Sequence, residues 1–442
     1  MINDPETLPS RIECASLKTS SKFSLITFVL ILPRSMPFMI DETPYDQWLP
    51  EIHKDIILFS DEAVASSFNS TQYKNIESFK NYNTNGNIHK LALDYHYEEP
   101  FQRILGLDEF DLIRLAHLRE YLNIPGQGLL SATTYRDKLL MKKHLDYHNI
   151  AIPEYRELKS PIDLIEFIEE YKYPVIVKPR NLVSSMGIVL IRSESDLQKF
   201  LENDFEKNMM VENYIEAKLY HIDGLVKDGE LMFVWPSAYL SLNRCWLNDG
   251  FTSSYMLEPK NPTFNKLIDY TKKVLKAMPS PDIFTFHLEV FEENNGKLLV
   301  CEITSRTGLG RVNKMLEECC SINLNRSVLR LQCGLEENVK PKLNNLGGWI
   351  LCPPKWGKLV KIPTNIPFDY IKDYQIHGQI GDSYTGGDFS GDKIASMILV
   401  GKDEVELRKN MNEAYKWFEE HTIWSKDYTT STDLTKFPLF KV

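Results

Sequence analysis

Short apolar runs broken by polar, turn-rich segments recur along the chain, and apolar residues at helical spacing lie between them. The run Phe23–Leu32 (FSLITFVLIL), stopped by Pro33, is too short to span a bilayer. No small-x-small cleavage site follows it, and its β-branched and aromatic residues predict a buried first strand rather than an export signal. Ile56–Phe59, closed by Ser60-Asp61, predicts a second strand. Phe110–Leu122 carries Leu112, Leu115, Ala116 and Leu118 at helical spacing and is ended by Asn123-Ile124-Pro125-Gly126. Strands alternating with helices predict a small open α/β domain over 25–130. Residues 1–24 are polar and read as a disordered leader.

Farther along, Ser131–His148 predicts one helix running through Arg136, Asp137, Lys138 and Lys142, and Ile162–Tyr171 a second. Tyr173–Arg180 (YPVIVKPR) is then an apolar strand with Lys178 at its end, followed by a loop holding Ser184, Ser185 and Gly187. A lone strand-end lysine ordinarily faces solvent. Beside a small-residue loop it gains a purpose, because backbone N–H groups approach phosphate oxygens while the ammonium supplies fixed charge. Met209–Glu216 predicts a strand entering a linker at Glu212, Asn213, Tyr214 and Ile215. Tyr220–Glu230 alternates as a hairpin on which His221 and Asp223 share a face, read as a satisfied polar pair, with cleft lining as the alternative. Trp235–Tyr255 reads as irregular and aromatic-rich, placed to shape a pocket for an acceptor or to fill core. His144 and His148 have the spacing of a zinc pair but no third ligand, and read as an exposed helix face.

The densest chemistry lies in Phe286–Arg311 (FHLEVFEENNGKLLVCEITSRTGLGR). Asn295-Gly296 predicts a two-residue type I′ hairpin turn. Counting outward sets Phe291 opposite Val300, Glu289 opposite Glu302, and His287 opposite Thr304. Opposed side chains share a face, so two carboxylates lie within reach of one another. A divalent cation relieves that repulsion, and oxygen ligands with open positions for water and phosphate suit Mg²⁺. For an isolated pair, a solvated strand face is the ordinary reading.

Past Leu324–Leu331, a helix ending at Cys333-Gly334, and a linker at Asn338–Asn345, the residues 341–442 predict an α+β region. It holds Gly347–Pro354, a Gly/Asp-rich loop (Gly378–Asp392), the strand Ile394–Val400 and a helix from Glu404 to His421. Gly386, Gly387 and Gly391 read as an ordinary connection rather than a phosphate loop. The chain of 442 residues has room for about three domains. A net charge of −10 argues against a generic nucleic-acid surface. Seven scattered cysteines with no CxxC spacing indicate neither a disulfide framework nor a zinc site, and point to a reducing cytoplasm. Neither GxxxxGK[ST] nor GxGxxG occurs.

Taken in order, Lys138, Lys178, the serine–glycine loop, Glu212–Ile215, Glu289 and Glu302-Ile303-Thr304-Ser305-Arg306 resemble the ATP-grasp fold. The last segment is similar to that family's Glu-x-Asn-x-Arg, with Thr304 where asparagine is usual. The resemblance implies an α/β and α+β architecture: the N-terminal domain, a two-lobed grasp over 131–340, and the small C-terminal domain. It implies that Lys138 and Lys178 grip ATP phosphates under a flap of Ser184, Ser185 and Gly187. The linker Glu212, Asn213, Tyr214 and Ile215 would hold adenine by its backbone, with an acid for the adenine amine or ribose. Glu289, Glu302 and Thr304 would hold one or two Mg²⁺, with Mn²⁺ a substitute. Arg306 would sit beside the reacting carboxylate, Arg311 being a second candidate, and Arg180 would face solvent or the flap. The implied activity is a carboxylate–amine ligase of the amino-acid or carnosine-forming kind, working through an acyl phosphate on small-molecule substrates. A cytoplasmic protein without membrane or nucleic-acid partners is expected, with a homodimer admissible. The alternatives are a non-catalytic ATP-binding sensor or partner subunit, and biotin-carboxylase-like chemistry.

Overall fold

The computed structural model describes residues 28–33, 43–202, 205, 207–241, 251–387 and 389–425, so the leader at 1–24 and the first part of the Phe23–Leu32 run lie outside the described residues. Four short strands, β1 (Val29–Leu32), β2 (Ile56–Asp61), β3 (Asn75–Phe79) and β4 (Arg103–Gly106), form a parallel sheet in the order β3-β2-β1-β4. Every residue of β1 is buried, as a strand covered on both faces requires. Val29 and Ile31 join one apolar core while Leu30 and Leu32 join another, which is the period of two expressed as two layers. The order turns over between β1 and β4, and ligand crevices in open α/β sheets form beyond the strand ends at such a point. Asp108 and Glu109 leave β4 at that place.

The sequence predicts one helix over Ser131–His148; two are present, Leu129–Arg136 and Lys138–Tyr147. Asp137 breaks them because its carboxylate caps the N–H groups of Leu139 and Leu140, which needs an extended backbone. Lys138 N–H then donates to Arg180 O at 2.9 Å. Arg180 does not face solvent: its guanidinium pairs with Asp137 and with Glu157 (2.8 Å). An antiparallel sheet follows, with β5 (Tyr155–Leu158), β6 (Val175–Pro179), β7 (Val189–Ile191) and β8 (Met209–Asn213) in the order β5-β8-β6-β7.

The largest sheet has eight strands. Its first part is β9 (Lys218–Lys227), β10 (Glu230–Ser241), β11 (Thr252–Met256), β12 (Ile283–Glu292) and β13 (Leu298–Thr304). C-terminal strands follow: β14 (Leu346–Cys352), β15 (Trp356–Lys361), β16 (Ile371–Ile376), β17 (Ser383–Thr385), β18 (Ala395–Gly401) and β19 (Ile423–Ser425). The order β13-β12-β9-β10-β11-β14-β18-β16 carries one sheet across residue 340, while β15, β17 and β19 make a small separate sheet. Trp235–Tyr255 is therefore not irregular where it is described. Its two ends are strands β10 and β11, and the stretch 242–250 lies outside the described residues.

The β12–β13 hairpin corrects the predicted turn. Glu293 N–H donates to Lys297 O and Gly296 N–H to Glu293 O, so three residues, not two, form the loop. Gly296 alone takes positive φ (+82°), which glycine tolerates and a three-residue loop requires. Phe291 consequently faces Leu299 instead of Val300. Cys301 is then an extra residue in β13, a bulge, and it restores the predicted pairs Glu289–Glu302 and His287–Thr304.

Candidate functional site

A cavity of about 630 Å³ lies between the β5–β8 sheet and the eight-stranded sheet. All the site residues expected from the sequence line it except Gly187. Gly187 instead lies against Pro179, where a Cβ would come within 2.8 Å of the proline ring, and it takes φ +69°. Its part is to let the loop fold back, while Ser184 and Ser185, both at positive φ, turn toward the cavity. Ser184 O accepts a hydrogen bond from Ser390 N–H at 3.1 Å, tying this loop to the C-terminal region.

Lysines and carboxylates form the cavity's polar wall. Lys178 on β6 lies diagonal to Glu212 on β8, and its ammonium donates to Glu212 Oε1 at 2.5 Å. Glu212 Oε2 lies 3.0 Å from the Nζ of Lys142, which is fully buried. Burial raises the Glu212 pKa, but Lys142 and Lys178 outweigh it and hold it at about 2. Both Glu212 oxygens thus face lysines, an arrangement different from an acid waiting for an adenine amine. Lys138, one turn before Lys142, reaches Glu302 Oε1 at 2.9 Å and Leu182 O at 2.6 Å.

On the floor, β12 presents His287, Glu289 and Phe291 to the cavity while Leu288 and Val290 enter the core beneath. The bulge turns both Cys301 and Glu302 the same way. The opposed carboxylates find partners within the protein: Lys138 meets Glu302, and Tyr239 donates to Glu289 Oε1 at 2.7 Å. His287 Nε2 is 3.6 Å from the same oxygen. Burial would raise Glu289, yet His287 and Tyr239 hold it down at about 2. His287 would be lowered by burial, but Asp223 prevails and lifts it to about 9. Asp223 is a hub: it accepts from Gly308 N–H and lies 2.6 Å from His221 Nδ1 and 2.9 Å from His287 Nδ1. His221 and Asp223 are therefore the satisfied pair expected. Ser254 bonds the other nitrogen of His221, and all three residues are buried. Thr304 Oγ1 is buried without a hydrogen-bond partner, as is Asn213 Oδ1 in the linker.

The two arginines of the loop after β13 are each held by a flanking region. Arg306 donates from Nε to Glu109 Oε2 at 2.8 Å, with NH2 at 2.6 Å from the same oxygen, and from NH1 to Thr307 O. Arg311 donates from NH1 to Ser396 Oγ at 2.7 Å and pairs with Asp373. NH1 and NH2 of its guanidinium are tied to β18 and β16, while its buried Nε has no hydrogen-bond partner. Sequence reasoning missed Lys142, Glu109, Tyr239, Trp349 and Asp373. The i, i+4 spacing from Lys138 marks Lys142; Glu109 is 197 residues from Arg306 and leaves no local pattern. His144 bonds Ala277 O through Nε2 at 2.8 Å, and it belongs to no cluster of potential metal ligands among the described residues.

Lysines around a small-residue loop, a linker and a paired-carboxylate hairpin thus meet in one cavity between the two sheets. The family model described as the ATP-grasp domain matches residues 143–308, and the chain has an ATP-grasp domain and the ATP-grasp fold. An L-arginine-specific L-amino acid ligase from Bacillus subtilis is 27% identical over 260 residues, 56% of this chain and 62% of that protein. The carbamoyl phosphate synthase large chain of Clostridium perfringens is 26% identical over 219 residues, 47% of this chain but only 20% of its own length. The chain therefore spans under two thirds of these relatives. Among solved structures, an L-amino acid ligase from Bacillus licheniformis superposes with a TM-score of 0.73 at 16% identity, covering 91% of this chain and all of that one. Carboxyaminoimidazole ribonucleotide synthase from Aspergillus clavatus, complexed with ATP, gives 0.67 at 13% identity, covering 89% of this chain and 99% of that one. No helix among the described residues is long and apolar enough to cross a membrane.

Proposed function

We propose that the protein is an ATP- and Mg²⁺-dependent carboxylate–amine ligase that joins two small substrates, at least one of them an amino acid. The observation that carries this reading is Glu289 opposite Glu302 on the floor of a cavity also lined by Lys138, Lys178 and Arg306. The residues fit the groups they would hold. Two hard carboxylates and the orphaned Thr304 hydroxyl suit Mg²⁺, and the orphaned Asn213 Oδ1 and the linker Glu212–Ile215 suit an adenine. Bound Mg²⁺ would supply neutralisation of phosphate charge as the γ-phosphoryl moves to the substrate carboxylate. Lys138 and Lys178 then hold phosphate oxygens, with Lys138 exchanging Glu302 for them. Arg306, held by Glu109 through Nε and NH2 and by Thr307 O through NH1, offers the second N–H of NH1 and of NH2 to the carboxylate and next to the acyl phosphate. The amine displaces phosphate and the products are an amide, ADP and phosphate.

The test is ADP release from ATP and Mg²⁺ in the presence of pairs of amino acids, with mass spectrometry of the products. An amide product that forms only with ATP and scales with ADP supports the reading. ATP binding without ADP release for any acid–amine pair returns the protein to a sensor or partner subunit. The same experiment with bicarbonate and biotin covers carboxylase chemistry.

A further inference from the structure

Behind the cavity's wall of lysines and carboxylates lies Lys142, a buried group with no part in the reading above. Lys178, Glu212 and Lys142 bring two lysines to one carboxylate, each of the three buried. The two lysines do not share Glu212 equally. Lys178 donates a directed hydrogen bond to Oε1, whereas Lys142 Nζ stands 3.0 Å from Oε2 and neither atom makes a well-angled bond. Lys142 is thus paired with Glu212 at 3.0 Å through a contact that is not well angled.

We infer that Lys142 is a standby counterion: it takes over Glu212 when Lys178 turns to a nucleotide polyphosphate. A buried carboxylate that loses its partner is strongly destabilising, so Lys178 cannot be drawn to phosphate unless something else meets Glu212. Lys142 sits on the helix Lys138–Tyr147, fixed by packing, and needs only a small rotation of the Glu212 carboxylate to make the bond. The arrangement leaves one net positive charge for the phosphates. Without Lys142, Lys178 and Glu212 form a neutral pair that nucleotide must break. Burial depresses the Lys142 pKa, and the Glu212 carboxylate opposes that. Lys142 is a positioning residue here, acting through Glu212 on Lys178. The inference rests on the nucleotide reading of the cavity.

A double-mutant cycle tests it, read as the dissociation constants of ATP and ADP by calorimetry. The four proteins are the parent, K142M, E212Q and K142M/E212Q, each checked by circular dichroism and thermal melting. In the parent, K142M is expected to weaken nucleotide binding at least tenfold, about 1.4 kcal/mol. In the E212Q protein there is no carboxylate to receive, so adding K142M changes binding less than about twofold. Equal losses in both backgrounds mean that Lys142 acts by packing or touches nucleotide itself, and overturn the inference. So does unchanged affinity in K142M. If K142M alone is too unstable to assay, E212Q and the double variant decide: a double variant that folds and binds within twofold of E212Q supports the counterion role, since the damage is then confined to the background that keeps the carboxylate, and a tenfold gap or an equally unstable double variant refutes it. A parent protein that binds neither nucleotide defeats the functional reading instead, and is told apart by that result.

Discussion

Glu109→Gln perturbs the site without touching the cavity wall. Glu109 is 3% exposed and Arg306 8%, and Glu109 Oε2 takes both the Nε and NH2 of Arg306 at 2.8 and 2.6 Å. Its other oxygen lies 3.5 Å from Arg136 NH1. Burial would raise the Glu109 pKa, but the Arg306 and Arg136 guanidiniums hold it below the ordinary carboxylate value. Glutamine keeps the shape and one acceptor oxygen while removing the charge that two buried guanidiniums face. Losing one partner of a buried pair costs about 3–5 kcal/mol, of which the amide oxygen recovers about 1. A net loss of about 2–4 kcal/mol lowers the melting midpoint by several degrees, roughly 2 °C per kcal/mol in a protein of this size. Arg306 keeps its bond to Thr307 O but loses the hold on its plane, and a misplacement of about 1 Å costs on the order of 10²-fold in turnover. Nucleotide affinity stays within twofold, since Lys138, Lys178 and the linker are unaltered. Calorimetric melting and ADP release at saturating ATP separate the two effects. A variant that melts lower but turns over at the parental rate shows that Glu109 only stabilises; one that matches the parent in both refutes the reasoning altogether.

Other changes probe the rest of the site. Glu302→Gln is expected to cut ADP release at least about 10²-fold and to raise the Mg²⁺ needed, and parental activity would remove the paired carboxylates from metal binding. Arg306→Lys keeps charge but loses the fork; turnover is expected to fall about tenfold or more with ATP affinity unchanged, and full turnover would show that any cation serves. Away from the cavity, burial outweighs the Arg114 guanidinium and lifts Asp111 to about 7. The folded state then binds the proton more tightly than the unfolded state, so Asp111 makes stability fall as pH rises from about 4 to 7. The loss is on the order of 4 kcal/mol. Urea unfolding of Asp111→Asn across that range is expected to lack this loss, and parallel curves for the two proteins would contradict it.

The carboxylate pair was legible in the sequence, though by a route that the structure corrects. Asn295-Gly296 marks the hairpin, and counting from a two-residue turn pairs Glu289 with Glu302. The loop has three residues, which shifts the register by one, and the Cys301 bulge shifts it back. Nothing local marks that bulge. Cys301 and Glu302 are both turned to the cavity by the way β13 meets its partner strand, which is a tertiary matter. Lys178, the linker and the small-residue loop were legible because each occupies a strand end or turn whose chemistry the sequence carries within a few residues. The helix break at Asp137 was missed although aspartate is a good N-cap, because the periodicity on either side stays in phase enough to suggest one helix. Glu109, Asp373 and Ser396 meet their arginines from 62 to 197 residues away, and no single-chain pattern encodes such a meeting.

Those distant partners also bear on what the fold needs in order to act. The family match covers 143–308, a span that contains Lys178, Glu212, Glu289, Glu302 and Arg306. It leaves out Lys138 and Lys142, which come from the first half of the helix Lys138–Tyr147, and Glu109, which follows β4. It also leaves out Asp373 and Ser396, on strands that extend the same sheet beyond residue 340. The loop Ser305–Arg311 hangs between these two sources: Glu109 takes Arg306 on one side, and Asp373 with Ser396 takes Arg311 on the other. Each arginine is buried, and each would be an uncompensated charge if its flank were absent. The matched segment thus carries most of the residues proposed to bind nucleotide and metal, Lys138 apart, while the two flanks carry the counter-charges that hold the loop Ser305–Arg311 in place.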